Sequence, residues 1–163
     1  MFGQLFEHKQ IEKYYLAISA KKPKKKQGAV KGGMKKIRDG KWMLDSSNTA
    51  EAISQFFSFS LSPGLRLFLV KPLTGKTHQI RVALKSLGSP ILGDELYKGE
   101  SSDRTYLHAY SIRFNYQQQP ICIICPPNKG AVFVSDKTKL QVANLATPWT
   151  LKWPNIKLTQ QKN

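Results

Sequence analysis

The stretch Thr74-Gly75-Lys76-Thr77-His78-Gln79-Ile80-Arg81-Val82-Ala83-Leu84 decides how this chain reads. It follows an alternating run at residues 65–70 with the pattern of a strand. From Thr77 onward Ile80, Leu84 and Leu87 recur at helical spacing. The order is therefore strand, tight loop, helix, with Thr77 as the candidate N-cap and Gly88 as the stop. Ile80, Leu84 and Leu87 form the face turned to the core. At about 100° per residue, His78, Arg81 and Lys85 share another face, and Lys76 stands in the loop just ahead. Cations at a helix N-terminus oppose its partial positive charge and cost about 0.3–1 kcal/mol each. A phosphate or a carboxylate is expected nearby to answer them.

Outward from this centre, residues 50–59 read as a strand that pairs with 65–70 in an antiparallel hairpin closed by Ser62-Pro63-Gly64. Upstream, residues 13–20 read as a strand with Tyr15, Ala17 and Ser19 on one face and Tyr14 on the other, entered from a helix tail containing Leu5, Phe6 and Ile11. Residues 45–48 read as a polar turn. Downstream come a turn-rich stretch at 88–94, an exposed polar loop at 95–105, a strand at 106–114, and a strand pair at 121–125 and 131–134. The expected fold class is α+β: one domain over residues 1–163, built on a mixed, mainly antiparallel sheet with few helices. A chain of 163 residues with 40% hydrophobic content can bury a core of that kind.

Charge separates the candidate partners. Residues 21–41 carry ten Lys or Arg against one acid, Asp39, interrupted by Pro23, Gly28, Gly32, Gly33 and Gly40, which reads as a mobile basic segment. The whole chain sets 26 Lys plus Arg against 10 acids, a net charge of +16, far more than solubility requires. RNA or DNA is the partner expected, with Lys21, Lys22, Lys24, Lys25, Lys26, Lys35 and Lys36 on the phosphate backbone. An anionic membrane is disfavoured, because no amphipathic helix with a bulky apolar face accompanies the charge. The opening residues have neither a charged n-region nor a long apolar run, so a cytoplasmic protein is expected.

The motifs also resemble those of a known family. TGKTHQIR at 74–81, GSPILGDELY at 88–97, LHA at 107–109 and Lys13-Tyr14-Tyr15-Leu16-Ala17 resemble, in order, motifs of the RluA-type pseudouridine synthases. The resemblance covers residues 5–135. Lys76 stands where the family usually has Arg, Ala83 where it has His, and Ala52 where a family A-x-T motif ends in Thr. The family's H-R-L-D segment, which carries its nucleophilic Asp, belongs upstream of the K-x-Y motif, and nothing like it precedes Lys13. The resemblance therefore implies a truncated catalytic domain, inactive alone, and leaves room for self-association through surface exposed by truncation.

What the resemblance implies chemically is isomerisation of uridine to pseudouridine in ribosomal or transfer RNA, with no cofactor and no metal. The C1′–N1 bond breaks, the uracil turns, and C5 joins C1′. A carboxylate, a cation to hold it ionised, a ring to support the free uracil and a dry pocket for a flipped nucleotide are required. Arg81 matches the family's carboxylate partner, and its planar, permanently charged fork suits that task. Tyr15 matches the Tyr that stacks on uracil and is proposed to take the C5 proton, although a free phenol is almost wholly protonated at neutral pH and would need help. Leu107 matches an apolar residue of the base pocket. Lys76 and His78, just ahead of Arg81, are candidates for substrate binding, His78 in a positioning role. The other reading is a non-catalytic RNA-binding module that kept the scaffold. Asp94, after Gly93 in a turn, is expected to bond backbone amides. Cys122 and Cys125 lack the further ligands zinc needs and are expected to be buried free thiols, on opposite faces of a strand.

Overall fold

The computed structural model of the chain describes residues 3–4, 10–45 and 50–156. The expected helix tail at Leu5 and Phe6, and most of the expected turn at 45–48, lie outside the described residues. Among the described residues seven strands form one sheet: β1 (Glu12–Ser19), β2 (Gln27–Lys36), β3 (Trp42–Asp45), β4 (Ala52–Ser62), β5 (Leu65–Pro72), β6 (Leu107–Tyr116) and β7 (Gln119–Ile124). Helix α1 (Gln79–Ser86) follows β5, and α2 (Asp136–Ala143) follows β7. The strand order is β3-β2-β4-β5-β1-β6-β7, and all six described pairings are antiparallel, so the expected mixed component is not found among the described residues.

The middle of the sheet is covered on both sides. Leu67, Phe68, Leu69 and Val70 of β5 are all buried, as are Leu16, Ala17 and Ile18 of β1, and a strand can bury consecutive residues only if both faces are packed. Two neighbours on β4 show what covers each face. Ser54 receives a hydrogen bond from the Gln79 side chain of α1, whereas Gln55, pointing the other way, donates to the Pro154 carbonyl at 2.6 Å. On that second face Tyr110 Oη donates to the Leu145 carbonyl beyond α2 at 3.1 Å, and Trp153 packs on Phe57 with ring centroids 4.8 Å apart. Ile80, Leu84 and Leu87 of the α1 region are buried as expected, worth about 1.5–3 kcal/mol each.

The hairpin of β4 and β5 around Ser62-Pro63-Gly64 is as the alternation predicts, with Gly64 at a φ of 80°. Residues 21–41 differ from expectation. Instead of a mobile segment, β2 pairs with β4 from Gln27 to Gly32 and with β3 from Gly33 to Lys36, with a 3-10 turn at Arg38–Gly40. Gly32 serves packing: a Cβ there would sit 2.9 Å from the Asp45 carbonyl oxygen. Charge density concealed a strand whose lysines are exposed and whose backbone is paired.

Three further elements differ. Helix α1 begins at Gln79, not after Thr77, because His78 takes a left-handed conformation at φ 55° and forms the N-cap. Residues 131–134 form turns leading into α2, whose N-cap Ser135 accepts from the Thr138 N–H, rather than a strand. The expected polar loop at 95–105 starts with a 3-10 turn, Glu95–Tyr97, in which Tyr97 is buried. Cys122 and Cys125 are free as expected but exposed rather than buried: Cys122 lies on the edge strand β7, and Cys125 falls just past its end, so the two do not share a strand. Among the described residues no helix is long and apolar enough to cross a membrane.

Candidate functional site

The loop between β5 and α1 is held by one buried side chain. Gln79 Oε1 accepts from Thr74 Oγ1 at 2.7 Å and from the Lys76 N–H at 3.1 Å. Its Nε2 donates to the Ile53 carbonyl at 2.9 Å and to Ser54 Oγ at 2.8 Å. Thr74 Oγ1 in turn accepts from the Ile53 N–H at 2.9 Å. Lys76 N–H can only donate and the Ile53 carbonyl can only accept, which fixes the amide's orientation. The loop is thereby stapled to β4, and the start of α1 cannot drift from the sheet.

Arg81, in the first turn of α1, meets a carboxylate. Its Nε and Nη2 donate to the two Asp94 carboxylate oxygens at 2.9 and 2.8 Å, a bidentate pair in which the Asp94 side chain is 2% exposed and that of Arg81 23%. Asp94 thus takes Arg81 rather than the backbone amides expected of it, and both of its oxygens are engaged. The pairing holds the Arg81 proton more firmly than usual. Gly93 makes the turn possible: its φ is 80°, and a Cβ there would lie 1.8 Å from the Arg104 carbonyl oxygen. The Arg81 guanidinium also lies 4.9 Å from the centroid of the Tyr97 ring.

His78 sits beside this pair. Its Nδ1 is 2.8 Å from Tyr97 Oη, which also accepts from the Trp42 N–H at 2.9 Å. Burial, then the Arg81 charge, lowers the His78 pKa, against an opposing pull from Asp94.

The sheet supplies the facing wall. Tyr15 pairs with Ala109 and Ala17 with Leu107 across β1 and β6, so Tyr15 and Leu107 are diagonal neighbours on one face. Tyr15 also pairs with Val70, and Val70 with Phe56, which puts Tyr15 on the face of Ser54 and therefore of α1. Tyr15, Leu107, Lys76, His78 and Arg81 line a single open cleft of about 370 Å³, together with Lys13, Pro72, Thr74, Gly75, Gln79 and Ile80. One wall is aromatic and aliphatic, the other cationic. Such a cleft can hold a flat ring against Tyr15 and Leu107 while anionic oxygens meet Lys13, Lys76 and Arg81.

The lysines expected on an RNA backbone are not gathered there. Lys21, Lys22, Lys24, Lys25, Lys26, Lys35 and Lys36 are all exposed. Lys21 and Lys24 lie at the far end of α1, where the Lys24 N–H donates to the Leu87 carbonyl at 2.9 Å and Ser89 Oγ donates to the Lys21 carbonyl, while the Lys26 carbonyl accepts from the Ser58 N–H at the start of β2. Lys35 and Lys36 pair with Met43 and Trp42 at the opposite end of β2, about 30 Å along the strand. Sequence reasoning missed Lys13, Gln79 and Tyr97 as parts of the site. Tyr97 left a signal, as the lone aromatic in a polar stretch.

The family model for RNA pseudouridylate synthase matches residues 1–86, a little over half of the chain. An "Uncharacterized RNA pseudouridine synthase" of Haemophilus influenzae is 53% identical over 135 residues, covering 82% of this chain and 60% of that protein. A "Ribosomal large subunit pseudouridine synthase C" of Rickettsia bellii is 38% identical over 120 residues, covering 66% of this chain and 38% of that protein. This chain thus spans less than two thirds of the length of either relative. Among solved structures, the human RNA pseudouridylate synthase domain containing 1 superposes with a TM-score of 0.65 at 20% identity, over 89% of this chain and 70% of that one, a likeness of fold. Fold and matched sequence agree: the chain belongs to the RNA pseudouridylate synthase family.

Proposed function

We propose that the cleft between β1, β6 and the start of α1 takes a flipped uridine of an RNA, and that the protein isomerises it to pseudouridine. The observation that carries this reading is the convergence of Tyr15, of Lys76, His78 and Arg81, and of Leu107, three distant stretches of chain, on one cleft. In this reading uracil lies on Tyr15 between the ring and Leu107, an arrangement that lets the base turn once its bond to the sugar is broken. Arg81, fixed at one edge by Asp94, offers its remaining Nη1 and Nη2 protons to a carboxylate at the sugar. Lys13 and Lys76 offer charge to the flanking phosphates. The exposed lysines at both ends of β2 hold the RNA outside the cleft. Ribosomal RNA is the favoured substrate over transfer RNA, on the name of the Rickettsia relative. The place of work proposed is the cytoplasm.

A second reading, an RNA-binding module without catalysis, is favoured by one observation: no Asp or Glu lines the cleft among the described residues, and the carboxylate that meets Arg81, Asp94, has both oxygens taken up by it. Isomerisation exchanges the C5–H bond for C5–C1′, so it releases the C5 hydrogen to water. Tritium release from RNA made with [5-³H]uridine separates the readings. It is measured for this chain alone and for a fusion to the part of the Haemophilus influenzae relative that lies outside the match. Release by either favours the enzyme. Tight RNA binding by both without release supports the module.

A further inference from the structure

Tyr97 is 5% exposed and bridges the start of α1 to the start of β3. Its ring carries the Arg81 guanidinium, its edge meets the His78 imidazole at a centroid distance of 5.7 Å, and its hydroxyl lies between His78 Nδ1 and the Trp42 N–H. Trp42 is the first residue of β3, the strand that returns the basic hairpin.

The hydroxyl can serve these two neighbours in only one way. A phenol has one proton to give and accepts best on the other side of its oxygen. The Trp42 amide can only donate, so it occupies the accepting side. The phenol's proton is then left for His78, which must accept at Nδ1 and carry its own proton on Nε2. A protonated imidazole would direct a second donor at the phenol oxygen and strand the phenol's proton in a buried place, which costs free energy. The lowered pKa of His78 agrees with this. Nε2–H has no partner among the described residues, and the ring lines the cleft.

We propose that Tyr97 is a positioning residue of the cleft: it locks His78 as the Nε2–H tautomer, so that the imidazole offers a fixed N–H to an oxygen of the bound nucleotide. The same hydroxyl anchors the first residue of β3, so the basic hairpin and this donor are held in one frame. For the identity of the ligand this rests on the function proposed above. The lock itself does not.

The test has two arms, both on the full chain. In the first, nitrogen-15 two-bond correlation spectra of the imidazoles at pH 7.5 report the tautomer of His78, assigned with His78→Gln. The wild type is expected as the Nε2–H form. Tyr97→Phe, which keeps the buried ring, is expected to give a mixture of tautomers. An Nδ1–H form in the wild type, or an unaltered pattern in Tyr97→Phe, overturns the lock. In the second arm, oligouridylate binding is expected to weaken about fivefold in Tyr97→Phe and in His78→Gln, with the double variant no worse than either single one. Additive losses overturn the coupling between the two residues. A wild-type chain that does not bind oligouridylate overturns the ligand assignment together with the proposed function. The tautomer spectra then decide the role of Tyr97 by themselves.

Discussion

Replacing Gln79 by Met removes the amide that staples the cleft loop to the sheet while nearly keeping its volume. Four hydrogen bonds go, but their loss is unequal. The Ile53 carbonyl keeps the Leu73 N–H at 2.8 Å, and Thr74 Oγ1 keeps the Ile53 N–H at 2.9 Å. The Lys76 N–H belongs to an exposed residue and can turn to water. Ser54 is the group left stranded, because its residue is 2% exposed and Gln79 is the partner described for its hydroxyl. A stranded buried hydroxyl costs about 1–3 kcal/mol, and the three compensated bonds together about one more. The expected destabilisation is about 3 kcal/mol, which for a chain of this size lowers Tm by about 10 °C. Gln79→Glu is expected to be worse, because a carboxylate cannot donate and would face the Ile53 carbonyl. Urea unfolding measures the difference, and amide exchange at residues 74–76 is expected to accelerate in Gln79→Met. A Met variant within about 0.5 kcal/mol of wild type, with unaltered exchange at those amides, would refute the staple.

Three other outcomes follow from the same geometry. Because burial and Arg81 depress the His78 pKa, the unfolded chain takes up that proton first as pH falls; this contribution to stability is complete above about pH 6.5 and is lost below it. The pH dependence of the urea midpoint is expected to flatten in His78→Gln, and an equal slope in both proteins would contradict the assignment. RNA affinity is expected to fall steeply with salt, and replacing either lysine group, 21–26 or 35–36, by Gln is expected to lower the salt slope by roughly one unit for each phosphate no longer neutralised; unchanged slopes would show that neither end of β2 touches the backbone. β7 is an edge strand on which Ile123 is 51% exposed and Ile124 39%, so sedimentation is expected to show concentration-dependent self-association that Ile123→Lys suppresses, while a wild type monomeric throughout contradicts it.

The parts of the fold legible in the sequence were those with a clear apolar pattern bounded by turn residues. Residues 50–59 and 65–70 alternate around a Pro-Gly turn, and Ile80, Leu84 and Leu87 mark one helical stripe, so strand, loop and helix came out in order. β2 was hidden because its lysines and glycines lower every local strand signal, while its stability comes from pairing on both sides with β4 and β3. Helix α2 was hidden for a similar reason: few of its residues are buried, and Leu140 is 69% exposed, so it carries no apolar stripe to read. At the site, Arg81, Tyr15 and Leu107 were found through motifs, not through physics visible in the chain. An answering carboxylate was expected from the cation-rich helix start, and one is present in Asp94, but the pairing depends on the fold of residues 88–97 and not on spacing. Gln79 carried no mark of its own in the sequence beyond its place in the 74–81 motif. Only the loop's return over β4 makes its amide the point where four partners converge.

The central claim, that uridine chemistry takes place between Tyr15 and Arg81, is tested most directly by tritium release in the fusion protein carrying Arg81→Lys or Arg81→Ala. Lys keeps the charge but loses the bidentate fork, and a misplacement worth about 1.4 kcal/mol already lowers turnover tenfold. The expected result is a loss of about tenfold or more with Lys and a larger one with Ala, each in a protein whose unfolding remains cooperative. Release at the wild-type rate with Ala at position 81 would contradict the assignment of this cleft as the place where the base is turned.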